Sequence, residues 1–99
     1  MNRQKNSNIS QFYKKSIQER QATIQEWTQL SSDKIQLLES SGLSLEQANH
    51  MIENVIGTYN LPFGIATNFL VNQQNYLIPM VIEEPSVVAA CSFAAKLFR

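Results

Sequence analysis

Apolar residues in the first half of the chain recur at the spacing of short amphipathic helices. The first helix is predicted over residues 16–29, where Ser16–Glu19 has the form of an N-terminal capping box. A second helix is predicted from Lys34 to Ser40. A third begins at a second capping box, Ser44–Gln47, and ends at Gly57. Three short helices are therefore expected before the middle of the chain.

After Gly57 the pattern changes to that of β-strands. Residues 65–71 and 76–82 are rich in β-branched and aromatic side chains, and Asn72–Asn75 between them predicts a hairpin loop. Pro79 lies within the second run, which indicates an edge position or a bulge. A β-hairpin is therefore expected in the second half.

The last part of the chain predicts its most apolar helix. From Val87 to Phe98 only Ser92 and Lys96 are polar. A helix that is apolar on nearly all sides is typical of a protein interior, and Pro85 fits the first turn of such a helix. Three helices, a hairpin and a buried C-terminal helix together predict an α+β fold.

The length and composition limit the chain to one small domain and point to neither nucleic acid nor a membrane as a partner. It has 99 residues, and eight basic residues balance eight acidic ones, so no net charge recruits nucleic acid or an anionic membrane. Neither a membrane span nor a signal peptide is predicted, and a cytoplasmic location is expected. No metal-ligand spacing is visible, so no metal is expected. Cys91 and His50 are interpreted as a core residue and a helix-surface residue.

The two ends of the chain carry further expectations. Residues 1–10 are polar and predict a disordered or loosely attached arm, which leaves residues 11–99 as the domain. The most apolar helix is the last element, and little apolar surface precedes it to cover all of its sides. We therefore expect the chain to be the N-terminal portion of a larger protein.

Candidate chemistry concentrates where the second strand meets the last helix. Glu83 and Glu84 stand there side by side, just before Pro85. Carboxylates are favourable near the positive end of a helix dipole, and most of them are capping features without a catalytic role. The junction alone leaves the capping and the catalytic interpretations open.

Two motifs carry a resemblance to a known family. One is Glu-Asn-Val-Ile-Gly at residues 53–57, and the other is Glu-Glu-Pro-Ser at residues 83–86, followed by Val-Val-Ala-Ala. With Leu-Pro-Phe-Gly-Ile-Ala-Thr-Asn-Phe at residues 61–69, they closely resemble the bacterial, soluble (class II) type of 3-hydroxy-3-methylglutaryl-CoA (HMG-CoA) reductase. The resemblance covers about residues 10–99. It implies that residues 11–99 are the first part of a truncated large, substrate-binding domain.

The resemblance implies an oxidoreductase of the mevalonate pathway of isoprenoid biosynthesis. Such enzymes interconvert HMG-CoA and mevalonate plus coenzyme A, with two hydrides carried by NADPH or NADH. They form dimers with active sites at the subunit interface. The segment that the family uses in dimer contacts falls on Glu53, Asn54, Val55, Ile56 and Gly57. The coenzyme-binding domain and the family's lysine, aspartate and histidine are missing from this chain.

The same resemblance assigns roles to two residues of the junction. Glu84 falls on the catalytic glutamate, and Ser86 falls on a serine that contacts the substrate carboxylate, whereas Glu83 is interpreted as structural. A glutamate that burial and charged neighbours keep protonated can donate a proton to the oxygen that gains charge during hydride transfer.

The chain also departs from the family pattern. Asn72–Asn75 replaces a loop that usually carries glycine, and Phe98 stands where a small residue is commoner. A single carboxylate cannot deliver hydride transfer without a cofactor site. Two functions therefore stay open: an N-terminal part of a reductase that is inactive alone, or a non-catalytic dimerisation module that pairs with itself or with an intact reductase.

Overall fold

The computed structural model describes residues 5–40 and 42–99 and confirms the α+β class. Four helices and two strands follow a single 3₁₀ turn at Phe12–Lys14: α1 (Ile17–Thr28), α2 (Ser32–Ser40), α3 (Leu45–Met51), β1 (Phe63–Val71), β2 (Gln74–Val81) and α4 (Val87–Leu97). The chain forms two compact units. The first contains the described residues up to Arg20 together with Leu61–Arg99, and the second is Gln21–Asn60.

Both predicted capping boxes are present. The Ser16 backbone N donates to Glu19 Oε1 at 2.9 Å, and the Glu19 backbone N donates to Ser16 Oγ at 3.1 Å. At the start of α3, Ser44 and Gln47 exchange the same pair of bonds at 3.2 and 3.0 Å. Each box satisfies backbone donors that the first helical turn leaves unpaired, so these helix starts are fixed by local sequence.

The prediction that the third helix continues to Gly57 is wrong. The helix ends at Met51, because Ile52 is extended (φ −137°, ψ 169°) and Asn54 is left-handed (φ 60°). Ile52, Val55 and Ile56 are β-branched and lose side-chain freedom in a helix, while Asn tolerates the left-handed region. Residues 53–57 therefore lie after the helix and do not form its last turn.

The hairpin is confirmed with a tighter turn than expected. Strands β1 and β2 are antiparallel, and Val71 pairs with Gln74, so only Asn72 and Gln73 form the turn. Both turn residues have positive φ (50° and 66°), the requirement of a two-residue type I′ turn. Pro79 lies on an edge as expected, since both strands of a two-stranded sheet are edges.

The C-terminal helix packs against β1, but the prediction that it is buried is wrong for this chain. No residue of α4 is buried among the described residues, and Leu97 is 68% exposed. One face of the helix contacts the strand, and the first unit supplies no second layer for the opposite face. The helix also starts later than expected, at Val87, because Ser86 is left-handed (φ 76°), which leaves Pro85 outside the first turn.

The prediction of a loose N-terminal arm is wrong for its described part. Ser7 is fully buried, its carbonyl O accepts from the Asn68 backbone N at 2.8 Å, and its backbone N donates to Asn75 Oδ1 at 2.9 Å. Residues 1–4 lie outside the described residues. The segment that follows, residues 5–15, is called the arm below; it is fastened to the hairpin, and its Phe12 and the strand residue Ala66 are the buried apolar residues of the first unit.

Candidate active site

A cavity of about 910 Å³ opens in the first unit. Its walls come from the arm, the hairpin, the junction between β2 and α4, and one face of α4. The volume lies in the range of roughly 300–1,000 Å³ that is usual for small-molecule sites. The predicted catalytic junction and this cavity therefore coincide.

Backbone hydrogen bonds fix both ends of the junction, Glu83–Ser86. The Ile82 backbone N donates to Pro62 O at 3.2 Å, which ties the end of β2 to the residue before β1. The carbonyl O of Ser86 accepts from the Ala90 backbone N at 2.8 Å, which is the first bond of α4. Glu83, Glu84 and Ser86 all line the cavity from this short bridge.

Glu84 has the access that a reacting group needs, but not the burial that was expected. Its side chain is exposed, and it makes no hydrogen bond or ion pair with another residue that the structure describes. The described residues of this chain therefore do not provide the burial of the Glu84 side chain that its family role implies. A carboxyl group in this position is available to a ligand in the cavity.

Ser86 combines backbone strain with an unused hydroxyl group. Its φ of 76° places an L-residue in the left-handed region, at a cost of roughly 1–2 kcal/mol. Unlike Ser16 and Ser44, Ser86 makes no side-chain capping bond to the helix that follows it. Strain of this kind clusters at functional sites, and the hydroxyl is free to contact a ligand.

Two cationic residues that the motifs did not indicate line the same cavity. Arg20 Nη1 donates to the carbonyl oxygens of Tyr13 at 3.1 Å and Lys15 at 2.7 Å, which fixes the guanidinium at the start of α1. Lys96 lines the cavity from α4. Cations beside the junction favour an anionic ligand.

The Glu-Asn-Val-Ile-Gly motif belongs to the second unit, whereas the junction belongs to the first. The motif exposes apolar surface: the Ile56 side chain is 100% exposed, and Ile52 beside the motif is 66% exposed. Exposed aliphatic side chains that are close together in the sequence are a feature of surfaces that another chain covers.

Sequence analysis did not indicate a group of polar residues at the cavity wall, where Thr67, Asn68 and Ser92 line the cavity. The Thr67 backbone N donates to Ser92 Oγ at 2.9 Å, and Asn68 Nδ2 donates to the Ser92 carbonyl O at 3.0 Å. The guanidinium of Arg99 reaches Ser7 Oγ at 2.9 Å. The available signal was Ser92, a polar residue in an otherwise apolar helix.

The remaining candidate groups carry no site of their own. Histidine 50 is exposed, with its Nδ1 2.9 Å from Glu46 O, and Cys91 is half-buried. Among residues 5–40 and 42–99, no group of three or more His, Cys, Asp and Glu side chains could hold a metal ion. Within the same ranges, no helix has both the length and the apolar character needed to cross a membrane.

The fold and the junction place the chain in an oxidoreductase family. Residues 16–99 match the family model of hydroxymethylglutaryl-coenzyme A reductase, and the chain belongs to this family.

More particularly, the chain is similar to the 3-hydroxy-3-methylglutaryl-coenzyme A reductase of Archaeoglobus fulgidus, with 55% identity over 93 residues. This match covers 94% of the chain and 21% of the relative. A probable reductase of the same name from Borreliella burgdorferi is 48% identical over 50 residues, covering 50% of the chain and 12% of that protein.

Solved structures agree with the sequence relatives. The class II reductase from Streptococcus pneumoniae, bound to NADPH in open conformations, superposes with a TM-score of 0.76 at 43% identity. The match covers 89% of this chain and 24% of that one, and a second structure of the S. pneumoniae enzyme gives the same TM-score. The chain thus spans about a fifth to a quarter of the length of these relatives.

Proposed function

We propose that this chain provides the first part of the large, substrate-binding domain of a class II HMG-CoA reductase, with Glu84 as its proton donor. The observation that supports this most directly is that Glu84 and Ser86 face a cavity of about 910 Å³ and make no side-chain bonds within the described residues. Side chains committed to capping would be bonded to the helix, as Ser16 and Ser44 are.

Glu84 acts on the substrate oxygen that gains negative charge during reduction. A carboxyl group at hydrogen-bonding distance from that oxygen donates its proton as the charge develops, which is general acid catalysis. Burial of this group, which the described residues of the chain do not provide, comes from the remainder of the enzyme around the cavity mouth. Removal of water there strengthens the interaction between Glu84 and the substrate oxygen.

Ser86 and the two cations bind the anionic parts of the substrate. The free hydroxyl of Ser86 donates a hydrogen bond to the carboxylate of HMG-CoA or mevalonate. Arg20 and Lys96 provide the positive charge that attracts an acyl-coenzyme A, which carries several negative charges.

Coenzyme binding takes place outside this chain. The three glycines of the sequence form no glycine-rich phosphate-binding loop, so the residues present do not fit a nicotinamide coenzyme. NADPH or NADH supplies the hydride in the complete enzyme, and the domain that holds it is not among the parts that this chain matches. No metal is required by these roles.

The complete protein is a cytoplasmic homodimer in this proposal. The exposed aliphatic side chains at Ile52 and Ile56 accompany the Glu53–Gly57 motif, which resembles the family's dimer contact segment. Covering them with a second subunit removes about 25 cal/mol of unfavourable hydration for each Å² of apolar surface. Neither nucleic acid nor a membrane is a partner.

A second candidate function is a non-catalytic association module. It is favoured by the same exposed apolar side chains and by the outer face of α4, where Leu97 is more than half exposed. Such a module would pair with itself or with an intact reductase and would need no reaction at Glu84.

The test is a chimera in which this chain replaces the matching segment of the A. fulgidus relative. We expect the chimera to reduce HMG-CoA, and Glu84→Gln to lower kcat by about 10²–10⁴-fold with little change in KM. Glu83→Gln is the matched control and should leave turnover near that of the unsubstituted chimera. Near-normal turnover in Glu84→Gln would refute the catalytic role, and an inactive chimera combined with capture of the intact relative by the 99-residue chain would favour the association module.

A further inference from the structure

A β-bulge in β1 forms part of the cavity wall, because its residues Thr67 and Asn68 line the cavity. The pairing shifts between Ala66, which opposes Ile78, and Phe69, which opposes Tyr76, so Thr67 and Asn68 together oppose one residue of β2. Asn68 is left-handed at φ 73° and only 9% exposed. A bulge turns backbone and side-chain groups out of the strand ladder, where they can bond other elements.

Asn68 bonds three separate segments of the first unit. Its backbone N donates to Ser7 O in the arm at 2.8 Å, and its side-chain Nδ2 donates to Ser92 O in α4 at 3.0 Å. Its carbonyl O accepts from Arg99 Nη1, just beyond α4, at 3.1 Å. The arm and α4 are two walls of the cavity, so this one residue joins both walls to the hairpin.

The neighbouring bonds reinforce the same connections. The Thr67 backbone N donates to Ser92 Oγ at 2.9 Å, which gives α4 a second attachment to the bulge. On the arm side, Ser7 Oγ donates to Phe69 O at 2.7 Å and accepts from Arg99 Nη1 at 2.9 Å. No buried side-chain nitrogen or oxygen in the described part of the chain lacks a partner, as a network that fixes one arrangement requires.

We infer that Asn68, through Ser92, is a positioning residue for the junction Glu83–Ser86. The junction leads directly into α4, so displacement of α4 along β1 displaces Glu84 and Ser86 as well. The bonds of Asn68 and Thr67 to Ser92 hold α4 at the middle of its inner face. The outer face of α4 is uncovered, so packing holds the helix from one side only. The inference rests on the proposed function, because Glu84 must be the reacting group for its position to affect turnover.

The test is Asn68→Gly in the chimera with the A. fulgidus relative. Glycine keeps the left-handed backbone and its bonds to Ser7 and Arg99, and it removes only the side-chain bond to α4. We expect kcat to fall roughly 10- to 100-fold, because a displacement of about 1 Å at a reacting group has effects of this size. KM should change less than about threefold, since the arm stays attached.

Asn72→Gly is the matched control, because Asn72 is a left-handed, exposed asparagine in the same hairpin (φ 50°). It should leave kcat unchanged. Ser92→Ala, which removes the second attachment of α4, should lower kcat in the same direction as Asn68→Gly. An unchanged kcat in both variants, or an equal loss in the Asn72→Gly control, would overturn the positioning role.

Amide hydrogen exchange in the 99-residue chain tests the inference without any reaction. We expect Asn68→Gly to speed exchange of the Thr67 amide, which reports the contact with α4, by about tenfold or more, while the Asn68 amide, bonded to Ser7, stays protected. Uniformly faster exchange over the whole unit would show a purely stabilising residue and would overturn the inference, as would fast exchange of Thr67 in the unsubstituted chain. If the chimera is inactive but the exchange pattern is as expected, the proposed function is rejected. The conclusion that Asn68 attaches α4 to the hairpin then still stands.

Discussion

The hairpin turn offers a direct test of the backbone geometry. Gln73 is exposed, its side chain makes no hydrogen bond within the described residues, and its φ is 66°. A left-handed L-residue costs about 1–2 kcal/mol, and glycine does not incur this cost. Glycine loses about 0.5–1 kcal/mol more backbone entropy on folding. The two values leave a net gain of about 0.5–1 kcal/mol in the free energy of unfolding for Gln73→Gly, as expected for the Asn-Gly pair favoured in type I′ turns.

The assay is thermal or urea unfolding followed by circular dichroism. For a domain of this size, the gain corresponds to a rise in Tm of roughly 3–6 °C. Gln73→Ala is the control, because alanine retains the left-handed cost and should give no increase. A Tm for Gln73→Gly at or below that of the unsubstituted chain would refute the two-residue turn.

Two further expectations concern charge and exposure. Hydrogen bonds from the backbone and then the hydroxyl of Ser16, with the charge of Lys15, hold the pKa of Glu19 below its ordinary value of about 4.5. The stabilising contribution of Glu19 is therefore complete above that ordinary value and is lost as pH falls through its lowered pKa in the folded chain. Far-ultraviolet circular dichroism should show the helicity of α1 falling in that pH range, and Glu19→Gln should remove this step. A step that persists in the variant would contradict the assignment to Glu19. Leu97→Lys, on the uncovered face of α4, should reduce self-association of the chain measured by light scattering. The Tm of the variant should shift by no more than a change of about 0.5 kcal/mol in the free energy of unfolding produces. Unchanged self-association would show that this face of α4 does not mediate it.

Local signals predicted the starts of α1 and α3 and the hairpin well. The Ser16 and Ser44 boxes each join residues three positions apart, so the sequence contains both partners of every bond. The end of α3 was predicted poorly, because the apolar spacing continues through Val55 while the β-branched residues and the left-handed Asn54 end the helix. Apolar spacing shows which residues share a face, and backbone preference decides where the helix ends.

The polar network at the cavity wall could not be predicted from local sequence. Ser7 and Arg99 lie at opposite ends of the chain, and both meet at Asn68 only because the bulge turns its backbone outward. A polar N-terminal segment with few apolar residues reads as a loose arm, since composition does not reveal a partner more than sixty residues away. The motif at Glu84 was found by resemblance, whereas the residues that hold its helix in place required the three-dimensional structure.

The uncovered face of helix α4 explains why the Glu83–Ser86 junction does not form a complete active site within the described residues. The inner face of α4 is fixed to the bulge at Ser92, and its outer face exposes Leu97. Ala90 and Ala94 are exposed at helical spacing from Leu97, and their small side chains allow close approach of another element to that outer face. Cover supplied by the remainder of a reductase would therefore stabilise α4 from the second side and at the same time exclude water near Glu84. Positioning and burial of the carboxyl group depend on the same docking event, so we expect turnover to appear only when the outer face of α4 is covered.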